Sequence, residues 1–190
     1  SQAGAPYLIA QHIRGSVINA GDGAHAHPTQ ALLDMYTMRE KLGSLARLKV
    51  VIVGDILHSR VARSNLWGLS LMGARVVVCG PPTLMPVGLV RSLGARAMPA
   101  EDQPGLPNVE VEYSLERAIV DADVVMALRL QTERQQSGLL PSIREYARLY
   151  QVDARRHLGD GVFDLYARVH LEEVESAVWH KEELDGAGAG

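Results

Sequence analysis

The sequence predicts an α/β protein: an open parallel sheet flanked by helices. Three observations carry that expectation. The runs "LKVVIVGD", "ARVVVCGPP" and "DVVMALRLQ" are apolar almost throughout rather than alternating, as strands buried on both faces are. Amphipathic stretches with helical spacing separate these runs. The resulting order of strand, helix, strand, helix calls for parallel strands joined by right-handed crossovers.

Each element has its own signal. "SVINAG" (16–21) predicts a short buried strand. "PTQALLDMYTMREKLG" (28–43) predicts a helix: Pro28 suits a first turn, where its missing N–H would be orphaned anyway, and Gly43 suits the C-terminal end. Leu32, Met35, Tyr36, Arg39 and Leu42 supply its helical spacing. Residues 48–55 predict a strand, 59–73 a helix, and 74–82 a second strand stopped by Pro81 and Pro82. "MPVGLVRSLG" (85–94) predicts a short helix. "ARAMPAEDQPGLPN" (95–108) is proline-rich and aperiodic, so it predicts a surface insertion. "NVEVEYS" (108–114) alternates strictly and predicts a strand nearer an edge. Residues 115–122 predict a helix, 123–131 a buried strand, and 140–150 a helix introduced by Pro141 and Ser142. The closing "GAGAG" predicts a flexible end.

Composition narrows the function. With 190 residues and 47% hydrophobic content, the chain can bury a sizeable core in one large or two small domains. A net charge of -3 argues against a dedicated nucleic-acid or anionic-membrane surface. No apolar run approaches the roughly 20 residues that span a bilayer, and the first residues show no basic-then-apolar signal pattern. The lone cysteine, Cys79, sits inside an apolar run and reads as a buried small hydrophobe rather than a catalytic thiol. Such cysteine usage fits a reducing compartment, so a cytoplasmic location is expected. The chain starts at Ser1 rather than at methionine, as a processed chain or a piece of a longer one would.

In open parallel sheets ligands bind beyond the carboxyl ends of the strands. Three polar segments fall there: "GDGAHAHPTQ", "GDILHSRVARS" and "RLQTER". His27 and Gln30 bracket a helix start, whose N–H groups and partial positive charge suit an anion or a developing oxyanion. His27 can donate to a carbonyl oxygen, and Gln30 can accept from an amine. Arg60 lies near the next helix start. Arg129 and Gln131 share a side of their strand by period-two alternation. Two separated arginines can clamp the two carboxylates of a diacid through bidentate pairs.

Plainer readings compete. His27 alone is an ordinary residue at a helix start, and Arg60 and Arg63 alone are ordinary solvated helix arginines. Arg129, at the end of a buried strand, needs a partner or a ligand. The H-x-H pair of His25 and His27 has only Asp22 nearby as a third ligand, too few for a metal site. "VGDILHSR" lacks both G-x-G-x-x-G and G-K-[ST], which weakens a nucleotide-binding reading.

The blocks "INAGDGAHAHPTQALLDMYTMRE", "VVIVGDILHSRVARSN" and "MALRLQTER" resemble the catalytic chain of the aspartate carbamoyltransferases, in the same order, over about residues 4–155. The R-x-Q-x-E-R pattern sets the resemblance apart from the sister ornithine enzymes. It implies transfer of the carbamoyl group of carbamoyl phosphate to L-aspartate, a step of pyrimidine synthesis. It also implies roles: His27 on the carbonyl oxygen of carbamoyl phosphate, Gln30 on its amino group, Arg60 and Arg129 on the aspartate carboxylates, and Gln131 as a companion contact. These heads are expected to converge on one cavity sized for a small diacid. Attack by the aspartate amine gives a tetrahedral intermediate that expels phosphate, helped by positioning and preorganised donors. No metal or organic cofactor is implied.

The resemblance further implies four parts. Residues 1–27 would be a remnant of a carbamoyl-phosphate domain, 28–43 an interdomain helix, 44–155 an aspartate-binding α/β domain, and 156–190 an unmatched, helix-rich tail. Homotrimers are implied, with regulatory or dihydroorotase chains as further partners. The family's S-T-R-T-R phosphate loop and its H-P-G-P segment do not occur in these 190 residues. The polypeptide alone is therefore expected to be inactive or very weak, for want of fixed positive charge around the leaving phosphate. Two other readings stay open: a non-catalytic dicarboxylate-binding or assembly module of the same fold, and an ornithine-type transferase.

Overall fold

The structure, a computed structural model, describes residues 2–86, 109–130 and 142–152, and the backbone of 163–165. Among them are five helices, α1 (Ala5–His12), α2 (Pro28–Leu42), α3 (Arg60–Leu71), α4 (Leu115–Ala118) and α5 (Ile143–Tyr150). Five strands, β1 (Lys49–Val53), β2 (Arg75–Cys79), β3 (Val109–Glu112), β4 (Val124–Ala127) and β5 (Phe163–Leu165), pair in parallel in the order β3-β2-β1-β4-β5.

The apolar runs become central strands because both of their faces are covered. Val50 and Ile52 of β1 pack into one cluster with Met38 of α2 and Leu66 and Leu69 of α3. Val51 and Val53 face the other way, toward Leu115 of α4 and Tyr150 of α5. These four side chains are at most 2% exposed, and each contributes about 1.5–3 kcal/mol of transfer free energy. Alternating "VEVE" becomes β3 at the sheet edge, where Glu110 meets Arg75 of β2 at 2.9 Å in an exposed ion pair.

Helix starts follow the capping signals. Ser59, Ser114 and Ser142 each accept a backbone N–H three residues ahead, at the starts of α3, α4 and α5. Against α3, α2 packs closely: a Cβ added to Gly68 would stand 2.7 Å from Met35 Cε, so the bare backbone lets that side chain lie flat on the helix.

The path of the chain creates a crevice. From β1 it steps outward to β2 and β3, then returns to place β4 on the other side of β1. The β1/β4 boundary is thus where strand order reverses, the position at which such sheets hold ligands. Gly54 and Asp55 leave β1 on one side of it, and Leu128 and Arg129 leave β4 on the other. Leu128 N–H donates to the Val53 carbonyl at 2.8 Å, which joins the two rims.

Several expectations need correction or fall outside the description. Residues 16–21 form no strand; Ile18 is 78% exposed, and no described neighbour offers the ladder on which a strand depends. Of the residues that give α2 its helical spacing, Leu32 and Tyr36 are exposed along with Arg39. The buried face is instead Ala31, Asp34 and Met38, with Met35 and Leu42 beside it. A buried aspartate interrupts that face, so an apolar count misses it. Pro82–Leu84 form a 3₁₀ turn. The helix expected over 85–94 lies outside the described residues from position 87 onward, as does the 95–108 insertion. In the tail expected to be helix-rich, the described backbone at Phe163–Leu165 is a strand paired with β4.

Candidate active site

The turn-rich segment before α2 is knotted around Asp22. This carboxylate is 2% exposed and accepts the backbone N–H groups of Gly4 and Ala26, each at 2.9 Å. His25 Nδ1 lies 2.9 Å from Oδ2, the oxygen that also accepts from Gly4. Burial by itself would raise the Asp22 pKa. The hydrogen bonds from Gly4, His25, Asn19 and Ala26 outweigh it and hold the group well below the usual carboxylate range. A carboxyl depressed in the folded chain stabilises it above the ordinary value near 3.8, and that contribution is lost as the pH falls below it. An Asp22→Asn chain is therefore expected to melt below wild type at pH 7 and to converge with it toward pH 2. Thermal melts across that range check this; a constant gap would contradict it.

His27 closes this loop and caps α2. Its backbone N–H donates to Ser64 Oγ of α3 at 2.9 Å, tying the loop to the sheet unit. Its ring Nδ1 accepts the backbone N–H of Gln30 at 3.3 Å, with Thr29 Oγ1 also at 3.3 Å. With Nδ1 occupied as an acceptor, the neutral ring carries its proton on Nε2. The cap thus sets the tautomer that can donate to a carbonyl oxygen. One turn on, Gln30 Nε2 donates to Asp34 Oδ1 at 2.9 Å.

Arg60 opens α3 and is half-buried against the same loop. Its Nη1 reaches the Gly23 carbonyl at 3.4 Å. Gly21, at φ +115°, lies so close that an added Cβ would stand 2.9 Å from the guanidinium carbon. Only glycine accommodates both that backbone angle and that approach. The turn leading to Arg60 is held by Asp55, which is fully buried and accepts both the backbone N–H of His58 at 3.1 Å and its Nδ1 at 2.9 Å.

Across the crevice, Arg129 follows β4 and is half-buried. The Tyr146 hydroxyl of α5 sits over Gly54, 3.2 Å from where a Cβ would be. Burial pushes this phenol well up, and the charge of Asp55 adds to the shift. It therefore stays protonated as a polar wall of the crevice.

The 21–27 loop thus meets the start of α3, with His27 at the end of the loop, Gln30 three residues on in α2 and Arg60 against Gly21 and Gly23, while Arg129 leaves β4 on the other side of the strand-order reversal. Gln131 lies outside the described residues. Cys79 is fully buried in β2. His25 and His27 turn their Nδ1 atoms to different tasks, and among the described residues no group of three or more His, Cys, Asp or Glu is placed to hold a metal ion. Gly21, Asp34, Ser64 and Asn65 were not singled out from the sequence. For Asp34 a signal existed: it lies four residues after Gln30, hence on the same helix face.

Two family models match this chain. The aspartate/ornithine carbamoyltransferase carbamoyl-P binding domain matches residues 2–40, and the Asp/Orn binding domain of the same family matches residues 46–158. The aspartate carbamoyltransferase catalytic subunit of Chloroflexus aurantiacus is 60% identical over 156 residues, covering 82% of this chain and 47% of the relative. That of Roseiflexus castenholzii is 56% identical over 156 residues, with 82% and 46% covered. The chain thus spans about half the length of the curated relatives it matches. Among solved structures, the catalytic subunit of M. jannaschii aspartate transcarbamoylase superposes with a TM-score of 0.66 at 27% identity, covering 92% of this chain and 53% of that one. Aspartate transcarbamoylase from Trypanosoma cruzi, in complex with N-(phosphonacetyl)-L-aspartic acid, shares the fold with a TM-score of 0.64 at 24% identity, covering 86% of this chain and 49% of that one. With its family-model match covering β1 to β4 and both rims of the crevice, the chain belongs to the aspartate/ornithine carbamoyltransferase family.

Proposed function

We propose that this chain is the aspartate-binding part, with the adjoining edge of the carbamoyl-phosphate part, of an aspartate carbamoyltransferase. That enzyme converts carbamoyl phosphate and L-aspartate to N-carbamoyl-L-aspartate and phosphate. The observation that carries the reading is the junction of the 21–27 loop with the start of α3, where Arg60 lies against Gly21 and Gly23 and the His27 backbone is tied to Ser64. The catalytic-subunit names of the curated relatives point the same way.

The residues divide the work as follows. His27 Nε2–H donates to the carbamoyl carbonyl oxygen and holds the negative charge that develops there. Gln30 Oε1 accepts from the carbamoyl amine. Arg60 and Arg129 take the two carboxylates of aspartate, with Gln131 as a companion contact. So held, the aspartate amine attacks the carbamoyl carbon. The tetrahedral intermediate collapses with cleavage of the carbon–oxygen bond to phosphate, and the amine loses a proton. Paired guanidiniums suit a diacid and repel the side-chain ammonium of ornithine.

The boundaries belong to the same proposal: residues 1–27 as carbamoyl-phosphate domain, 28–43 as the helix between domains, 44–155 as the aspartate domain, and 156–190 as a tail. So do a cytoplasmic location, a homotrimer, and association with regulatory or dihydroorotase chains. Among the described residues no helix is long and apolar enough to cross a membrane.

Titration calorimetry of the 190-residue chain tests the reading. Succinate and aspartate are expected to bind, ornithine not, and carbamoyl phosphate to strengthen succinate binding. Carbamoyl-aspartate formation by this polypeptide alone is expected to be far below ordinary enzyme rates. Equal affinity for succinate and ornithine would overturn the assignment, and succinate binding indifferent to carbamoyl phosphate would favour a non-catalytic module.

A further inference from the structure

The mechanism above leaves a buried charge unused. Asp34 of α2 is 1% exposed, in the middle of the face that packs on α3. A carboxylate in such a place is costly unless its oxygens are occupied. Here both accept from side-chain amides: Oδ1 from Gln30 Nε2 at 2.9 Å and Oδ2 from Asn65 Nδ2 at 2.7 Å. Asn65 is fully buried in α3, and its Nδ2 also donates to the Val61 carbonyl at 3.2 Å, one turn back. Its Oδ1 is buried and has no hydrogen-bond partner among the described residues. Turning that amide over would give Oδ1 the Val61 N-terminal turn's carbonyl and the carboxylate as neighbours, two acceptors against an acceptor. The orientation of Asn65 is therefore dictated by Asp34, at the expense of one unsatisfied oxygen.

We infer that Asp34 is a positioning residue for Gln30. An amide side chain presents a donor and an acceptor of nearly the same shape, and a helix surface does little to choose between them. A buried carboxylate does choose, because it can only accept. With Nε2 drawn to Asp34, Oε1 is on the other side of the amide, presented as an acceptor. That is the polarity an NH₂ group requires, so the inference rests on the proposed contact of Gln30 with the carbamoyl amine. Asn65 steadies the carboxylate from the neighbouring helix, which links the orientation of Gln30 to the packing of α2 on α3. Reversed, the amide would present N–H groups to an amine and reject it.

Two measurements test this. The first needs no ligand. In nitrogen-15 spectra the Gln30 side-chain amide, assigned by its loss in Gln30→Ala, is expected to exchange its hydrogen-bonded proton at least roughly tenfold more slowly than exposed glutamines. That protection should disappear in Asp34→Ala. The second uses carbamoyl phosphate and succinate as probes. Near-isosteric Asp34→Asn is expected to weaken carbamoyl phosphate roughly tenfold while changing succinate affinity less than twofold, and adding Gln30→Ala should cost little more. A merely structural role would weaken both ligands alike. Unprotected Gln30 in the wild type, or fully additive losses in the double variant, would overturn the inference. If Gln30 is protected but the wild type binds neither succinate nor carbamoyl phosphate, the functional reading falls while the hold of Asp34 on Gln30 stands.

Discussion

An Arg60→Ala chain is expected to bind succinate roughly 100-fold more weakly than wild type, a loss of about 2.8 kcal/mol. The fold should survive, because alanine is at least as good a helix former at an N-terminal position already capped by Ser59. What goes is the planar fork that meets a carboxylate at two points. Arg60→Lys should restore only part of the affinity, since an ammonium supplies charge without the fork. Gly21→Ala reaches the same end without touching the guanidinium. Its new methyl would occupy the space 2.9 Å from the Arg60 guanidinium carbon, on a backbone at φ +115°, so the arginine has to move. Calorimetric titration with succinate reads all three variants. Unchanged affinity in Arg60→Ala would remove this residue from the binding site.

Stability hinges on β1. Ile52→Ala is expected to destabilise the chain by about 3–4 kcal/mol, a large fraction of the 5–15 kcal/mol by which domains are normally stable. Ile52 is 0% exposed, with Val78 of β2 and Met126 of β4 as its register partners on either side. A cavity there is walled by β-sheet on both flanks and cannot collapse easily. Ile18→Ala provides the contrast: this residue is 78% exposed, so its removal should stay within about 0.5 kcal/mol. Urea unfolding of the two variants measures both. Comparable losses would mean that the N-terminal segment is buried in solution.

How much could be read in advance depended on whether a feature is local. Strands β1, β2 and β4 were legible because continuous apolar runs leave no face for solvent. The starts of α2 and α5 were legible because Pro28 and the Pro141–Ser142 pair act within a turn of themselves. His27 and Gln30 stood out for the same reason: they belong to a helix start. The pairing of Arg60 with the 21–23 loop was not legible, because 37 residues separate Arg60 from Gly23. Nor was Asn65 on Asp34, which closes across 31.

By itself, then, the order of residues determined the parallel α/β class, the helix boundaries set by caps, and the chemical character of the segments at the strand ends. These follow from backbone sterics and from the period of burial, which act over a few neighbours. Tertiary structure alone decided that 16–21 is not a strand, that α2 buries Asp34 rather than Leu32 and Tyr36, that Phe163–Leu165 extends the sheet, and that Arg60 rests on Gly21. A strand exists only beside another strand, and a helix face is inside only if something packs on it. Both depend on where distant parts of the chain arrive.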